Sequence, residues 1–200
     1  MRVPFKFESW DALYREQDDT TMPWFYEGID PDFAAALKEF DISGGKILDL
    51  GTGPGLQSIH LAKKGFEVTA SDISPTAIQN AGRRAESENV SIDYRLDNIL
   101  DSKIAETFDL VFDRGVFHIF DPEEHDTYRS QMSNWLKPGG YFLLKCFGPD
   151  EPGTDGPYRM APETVIGIFD DHFSLQTHKE TIYYGTRQPP PQAVFYVFKK

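Results

Sequence analysis

The order of elements in this sequence predicts an α/β fold, a parallel sheet with helices on both faces. Three observations predict it. Short apolar runs alternate with helix-patterned segments from Ile47 onward. A glycine-rich turn joins the first run to the first of those helices. Chemically distinctive residues close successive runs, at the sheet edge where ligands of such folds sit.

The first run, Ile47–Leu50, reads as a buried strand with one acid, Asp49. Gly51, Gly53 and Gly55 turn the chain with no Cβ in the way. Leu56–Lys64 has helical spacing, with Gly65 as its C-cap. Glu67–Ser71 is a strand that ends at Asp72. Pro75–Ala85 is a helix with Ser74 as N-cap and proline in its first turn. Ser91–Leu96 is a strand that ends at Asp97-Asn98, and Phe108–Asp113 one that ends at Arg114-Gly115. Glu123–Leu136 is a helix broken by Lys137-Pro138-Gly139-Gly140. Strands at Tyr141–Phe147, Phe173–Tyr184 and Ala193–Phe198 and a helix at Pro162–Phe169 complete the pattern. Ahead of the first run, Glu8–Gln17 and Asp30–Phe40 read as helices around an aromatic loop, Thr20–Gly28. Trp10, Trp24 and Tyr26 either pack this extension onto the core or form a flap over a ligand. The expectation is one domain, residues 1–39 forming a cap on a core of 40–200.

Composition narrows the function. The chain has 200 residues, 40% hydrophobic and 26% charged, as in an ordinary globular domain. Its formal net charge of −12 disfavours nucleic acid, whose phosphates are bound by arrays of Lys and Arg. No apolar run is long enough to span a bilayer and Met1–Phe5 has no signal-peptide core, so the expected location is cytoplasmic, with no membrane partner. Cys146 is the only cysteine and lies in an apolar run, where it reads as a small packed hydrophobe. Acidic residues are too scattered for a metal cage, so no metal is assigned. The sequence is compatible with a monomer.

The spacing of the glycines selects the ligand. A dinucleotide fingerprint needs its third glycine three residues after the second, where this chain has Leu56, and there is no Gly-Lys-Ser/Thr ending for a P-loop. Asp72, about 20 residues beyond the turn, can accept both ribose hydroxyls of a nucleoside or cap the following helix. Asp97-Asn98 can read an adenine edge or form an Asx turn. Ile73 can pack on the base. Asp49, being buried, needs partners, and can orient the glycine loop or meet an ammonium.

The run Asp49-Leu50-Gly51-Thr52-Gly53-Pro54-Gly55 resembles the first motif of class I S-adenosyl-L-methionine (SAM) methyltransferases. Asp72 resembles that family's ribose acid, Asp97 its adenine-binding acid, and Lys137-Pro138-Gly139-Gly140 its late motif. The resemblance implies a Rossmann-like sheet of seven strands in the order 3-2-1-4-5-7-6, the last antiparallel, with an N-terminal helical cap. It also implies SAM as cofactor, S-adenosyl-L-homocysteine as product, and Thr52, Arg114 and Trp24 at the cofactor. A narrower likeness follows. Phe112-Asp113-Arg114-Gly115-Val116-Phe117-His118, Trp10–Tyr14 with Pro23-Trp24, and Gly156-Pro157-Tyr158 are similar to segments of thiopurine, thiol, halide and tellurite-resistance methyltransferases. This implies a small-molecule acceptor, a thiol or another soft nucleophile, met by Trp10, Tyr14, Tyr158 and Arg159. A thiol would gain from a cation that favours the thiolate. Arg114 is the candidate, unless it pairs structurally with Asp113 or Asp121. His118 is either a base or polar contact, or a satisfied histidine in an apolar turn. Two other readings stand beside transfer: a non-catalytic SAM- or nucleoside-binding regulator on the same fold, and an NAD-type oxidoreductase, against which the glycine spacing argues.

Overall fold

The computed structural model describes residues 7–200. The expected lack of a signal core in Met1–Phe5 and the start of the expected cap lie outside the described residues. Seven strands form one sheet: β1 Lys46–Leu50, β2 Glu67–Asp72, β3 Asp93–Leu96, β4 Phe108–Arg114, β5 Leu136–Phe147, β6 Ser174–Ile182 and β7 Gln192–Lys199. Their order is β3-β2-β1-β4-β5-β7-β6, as the resemblance implied. The first five pair in parallel, and β7 runs antiparallel to β5 and β6. Among the described residues six α-helices accompany it: α1 Trp10–Glu16, α2 Pro31–Glu39, α3 Leu56–Lys63, α4 Pro75–Ser87, α5 His125–Trp135 and α6 Pro162–Phe169.

Side chains alternate between two apolar faces, which is why the central strands read as nearly continuous hydrophobic runs. Ile47, Leu110, Phe112, Leu143, Phe195 and Val197 meet α2 and α3 on one face, where Phe33 of α2 stacks on Phe112 at 3.9 Å. Leu48, Val111, Phe142, Leu144, Cys146, Val194, Tyr196 and Phe198 meet Tyr128, Met132 and Trp135 of α5 and Val165 and Phe169 of α6 on the other. Burial pushes the Cys146 thiol well above its ordinary pKa, so it is an inert packed group.

The start of β5 corrects the expected break at Lys137–Gly140. Leu136 already pairs with Phe108, and the register shifts before Leu110 meets Tyr141. The Pro-Gly-Gly segment is a bulge within the strand, so α5 ends at Trp135. Its expected start at Glu123 is likewise a separate 3-10 turn, Pro122–Glu124. The caps follow the sequence: Ser9 accepts from the Ala12 N–H at 3.1 Å, and Ser74 from that of Ala77 at 3.1 Å. No helix among the described residues is long and apolar enough to cross a membrane.

Four elements are joined by a buried charge network. Lys145, near the C-terminal end of β5 and fully buried, donates to Asp30 Oδ1 and Oδ2 at 3.0 and 2.9 Å and to Asp32 Oδ2 at 2.7 Å. Asp30 is the N-cap of α2, its Oδ1 accepting from the Asp32 N–H at 3.0 Å. Arg114 Nε of β4 reaches Asp30 Oδ2 at 2.8 Å, and from β6 Lys179 and Thr181 reach Asp32 at 2.9 and 2.7 Å. Burial alone would raise the Asp32 pKa; the hydrogen bonds from Lys145, Thr181 and Lys179 outweigh it and hold the pKa below its usual value. Removing one partner of such a network strands the others. Lys145→Met should therefore cost about 3–5 kcal/mol in urea unfolding, and adding Asp32→Asn should recover part of the loss.

Candidate active site

The C-terminal ends of β1, β2 and β4 and the turn after β3 open into one cavity of ≈ 810 Å³. Gly51, Asp72, Asp97 and Arg114, all expected at this edge, line it, as do Ile73, Asn98, Trp10, Tyr14, Trp24, His118 and Arg159. Asp49, Thr52 and Gly53 line a small recess that shares Gly51, Trp24 and Arg114 with the cavity. Gly55 and Tyr158 line neither.

The glycine turn is left-handed at each glycine, with φ of +57° at Gly51, +52° at Gly53 and +80° at Gly55. A Cβ on Gly53 would also stand 2.6 Å from Tyr14 Oη, so the missing side chain lets α1 lay its tyrosine on the loop. Gly55 faces Ala81 and Tyr94 instead of the cavity. Arg84 of α4 donates to the Pro54 carbonyl and pairs with Asp19 at 3.0 Å, which ties the loop to the N-terminal segment.

Carboxylates at the strand ends hold the neighbouring turns. Asp49 Oδ2 accepts from Thr52 Oγ1 at 2.8 Å and from Ser58 Oγ at 2.5 Å. Asp72 Oδ2 accepts from the Gly53 N–H and Oδ1 from the Ser74 N–H, both at 2.9 Å. Burial raises both acids to about 6 against these hydrogen bonds. Ser74, not Asp72, caps α4. Asp97 Oδ1 accepts from the Lys103 N–H at 2.9 Å, while its Oδ2 is buried without a partner. Ser71 Oγ, also in the lining, is in the same state. Asn98 makes the Asx turn, accepting from the Leu100 N–H at 3.1 Å.

Across the cavity, Arg114 is committed to the protein. Its counter-ion is Asp30, not Asp113 or Asp121, and its other N–H groups go to the Trp24 carbonyl at 3.0 Å and to the Tyr184 carbonyl. Asp113 instead accepts from the Val116 and Phe117 N–H groups at 2.7 and 2.9 Å and from Tyr128 Oη at 2.5 Å. Asp121 accepts from Tyr158 Oη at 2.7 Å, which accounts for Tyr158 lying outside the lining. His118 Nδ1 accepts from the Phe147 N–H at 2.9 Å, so its proton is assigned to Nε2. Burial depresses its pKa to about 3, against the opposing Gly115 backbone, so it is neutral at pH 7. The Arg159 N–H groups reach the carbonyls of Pro152, Asp155 and Pro157, and its guanidinium lies over the Phe147 ring at 5.6 Å.

The N-terminal segment forms one wall. Trp24 meets Trp10 and Tyr14 edge to face, with centroids 5.9 and 6.5 Å apart. Asp11 accepts from Ser74 Oγ at 2.8 Å and from the Thr76 N–H at 3.0 Å, fixing α1 to α4. Sequence reasoning missed Ser71, Phe147 and Tyr183 in the lining and the whole of the Lys145 network. Lys145 had a signal: a lone lysine inside the apolar run Tyr141–Phe147 requires buried counter-charges.

Comparison with known proteins agrees with this geometry. A family model described as a methyltransferase domain matches residues 47–140. Human EEF1A lysine methyltransferase 2 is 33% identical over 154 residues, covering 68% of this chain and 65% of that protein. A probable thiol methyltransferase 2 of Arabidopsis thaliana is 26% identical over 156 residues, covering 77% of this chain and 66% of that one. The chain thus spans just under two thirds of each relative's length. A solved structure described as "Conversion of a Disulfide Bond into a Thioacetal Group during Echinomycin Biosynthesis" superposes with a TM-score of 0.82 at 23% identity, covering 95% of this chain and 91% of that one, and shares the fold. The matched segment, from the first strand to the Pro-Gly-Gly bulge, is therefore a methyltransferase domain of the SAM-dependent kind, whose cofactor is S-adenosyl-L-methionine.

Proposed function

We propose that this chain transfers the methyl group of SAM to a small-molecule acceptor with a soft nucleophile, a thiol first among them. The observation that carries this reading is one cavity with a polar half past β2 and β3, at Ser71, Asp72 and Asp97, and an acceptor half past β4 and β5, where the apolar side chains of Val116, Ile119 and Phe147 stand with His118 and Arg159. The polar half fits a nucleoside. Beside its two amide bonds, Asp72 keeps lone pairs for ribose hydroxyls. The unpartnered Asp97 Oδ2 and Ser71 Oγ each cost about 1–3 kcal/mol, a cost that a ligand with matching groups removes. Ile73, 40% exposed, offers apolar surface to a base, with Asn98 beside it. The recess at Asp49, Thr52, Gly53 and Trp24 takes the amino-acid end.

When bound, SAM supplies a methyl carbon activated by a sulfonium. The residues of the chain have to align the acceptor with that carbon and exclude water. Orientation of this kind supplies roughly 7–11 kcal/mol. In this reading Arg114 acts by clamping Trp24 and Tyr184 in place, Arg159 brings positive charge to the acceptor end, and Trp10 and Tyr14, packed on Trp24 beside the glycine loop, add wall at the cofactor end. The human relative is named for a lysine acceptor and the plant relative for a thiol. A lysine ammonium must lose a proton before it attacks. His118, the one imidazole in the lining, already has its free lone pair engaged, which favours the thiol.

Labelled SAM incubated with the protein and a panel of thiols, halides, chalcogen oxyanions and amines should give labelled product with a soft nucleophile. SAM binding without transfer to any soft nucleophile would remove the thiol assignment, and a lasting absence of all turnover would favour a SAM-binding regulator. Asp72→Ala should weaken SAM binding by about 1.5–3 kcal/mol, the worth of hydrogen bonds to a charged group, as measured by calorimetry. The same method reads a pH dependence. Asp72 titrates near 6, so it is ionised at pH 7.5 and accepts fully; as pH falls through 6 it protonates and SAM affinity drops. Asp72→Asn should flatten that drop; an unchanged slope would assign it to Asp49, which titrates in the same range.

A further inference from the structure

The hydroxyl of Tyr183 takes no part in the hydrogen bonds that hold the cavity walls. Tyr183 lies just beyond β6, 5% exposed, and lines the cavity, yet its Oη is buried with no hydrogen-bond partner. Its position is closely constrained. The Arg114 guanidinium sits over the ring at 4.8 Å, Phe147 meets it edge-on at 5.6 Å and His118 stacks on it at 6.0 Å. Gly115, at φ +98°, makes the room: a Cβ there would collide with Tyr183 Oη and stand 3.3 Å from His118 Nε2. The phenol and the imidazole edge therefore meet over one glycine on the acceptor side of the cavity.

Resting on the methyltransferase reading above, we propose that Tyr183 Oη is the acceptor-binding hydroxyl, a hydrogen-bond donor that selects acceptors arriving already ionised, thiolates and similar soft anions, over alcohols and amines. Three features support this. Burial holds the phenol well above its ordinary pKa, so it donates and does not ionise. His118 cannot take a proton from the acceptor, because Nδ1 is occupied by the Phe147 N–H. Of the lining carboxylates, Asp72 and Asp97 belong to the polar half and Asp155 to an exposed loop.

The chemistry then balances without a base. The lone pair of the ionised sulfur forms the bond to the methyl carbon, and the methyl–sulfonium bond breaks with its pair staying on the departing sulfur. An anion and a cation become two neutral thioethers, and no proton remains to be placed. Because transfer cancels the charge, the Tyr183 hydrogen bond is stronger to the bound anion than in the transition state. Its loss should therefore appear in KM rather than kcat.

Tyr183→Phe tests this cleanly, since it keeps the ring contacts and removes an oxygen that makes no hydrogen bond to the protein. The variant should unfold at the wild-type temperature and bind SAM as wild type does. With 4-nitrothiophenol as probe, above its pKa, KM should rise about 10-fold or more with kcat unchanged or higher. Protein loaded with S-adenosylhomocysteine should lose the same factor in affinity for the coloured thiolate, read by absorbance. Equal KM and equal thiolate affinity in the two proteins would overturn the inference and leave methyl transfer standing. Wild-type transfer to phenol or a primary amine at thiolate rates would also overturn it. SAM binding with no transfer by wild type to any of these probes would instead remove the methyltransferase reading, and the inference with it.

Discussion

Asp30 is fully buried between two cations from neighbouring strands, and the working edge of the sheet depends on it. A carboxylate without water is tolerable only when its charge is met from several sides. Lys145 of β5 and Arg114 of β4 meet it here, and the Asp30 N–H is taken by Gln57 of α3 at 2.8 Å. The arrangement is close to all-or-none, since each partner would be stranded without the others. Its effect reaches the site through Arg114. With Nε anchored on Asp30, the remaining guanidinium N–H groups hold the Trp24 and Tyr184 carbonyls, and these two segments meet directly, the Thr186 N–H donating to the Pro23 carbonyl at 3.2 Å.

A second regularity runs along the same edge. A carboxylate in or just after each of β1 to β4 receives hydrogen bonds from nearby segments: Asp49 from the hydroxyls of Thr52 and of Ser58 in α3, and, from backbone N–H groups, Asp72 from Gly53 and Ser74, Asp97 from Lys103, and Asp113 from Val116 and Phe117. Turns have N–H groups left over from the sheet ladder, and a strand-end acid satisfies them without water. Three of these acids, Asp49, Asp72 and Asp113, are raised to about 6 by burial against the hydrogen bonds they accept. Asp97 differs in keeping one buried oxygen unmatched by protein.

The N-terminal segment is part of this edge. Asp11, Asp19 and the Trp24 carbonyl attach it to α4 and to Arg114 at three separate points. Aromatic residues fill the space between these ties, and Tyr14 can reach the glycine loop because Gly53 offers no Cβ to block it.

Much of this was legible in the sequence. Strand and helix periodicity, the Ser74-Pro75 cap and the glycine turn are local consequences of side-chain shape and backbone freedom, so they can be read without knowing what lies nearby in space. Asp72 and Asp97 were legible for the same reason, since topology alone brings strand ends together. The Pro-Gly-Gly bulge was not, because whether such a segment ends or bends a strand depends on the register of its neighbour. Nor were the partners of Arg114: Asp113 and Asp121 are close in sequence, whereas Asp30 is 84 residues away and is brought near only by α2 packing beside β4 and β5. The orphaned Tyr183 hydroxyl had no sequence signal at all. An unmet hydrogen bond is a property of the space around an atom, and only the tertiary structure decides that space.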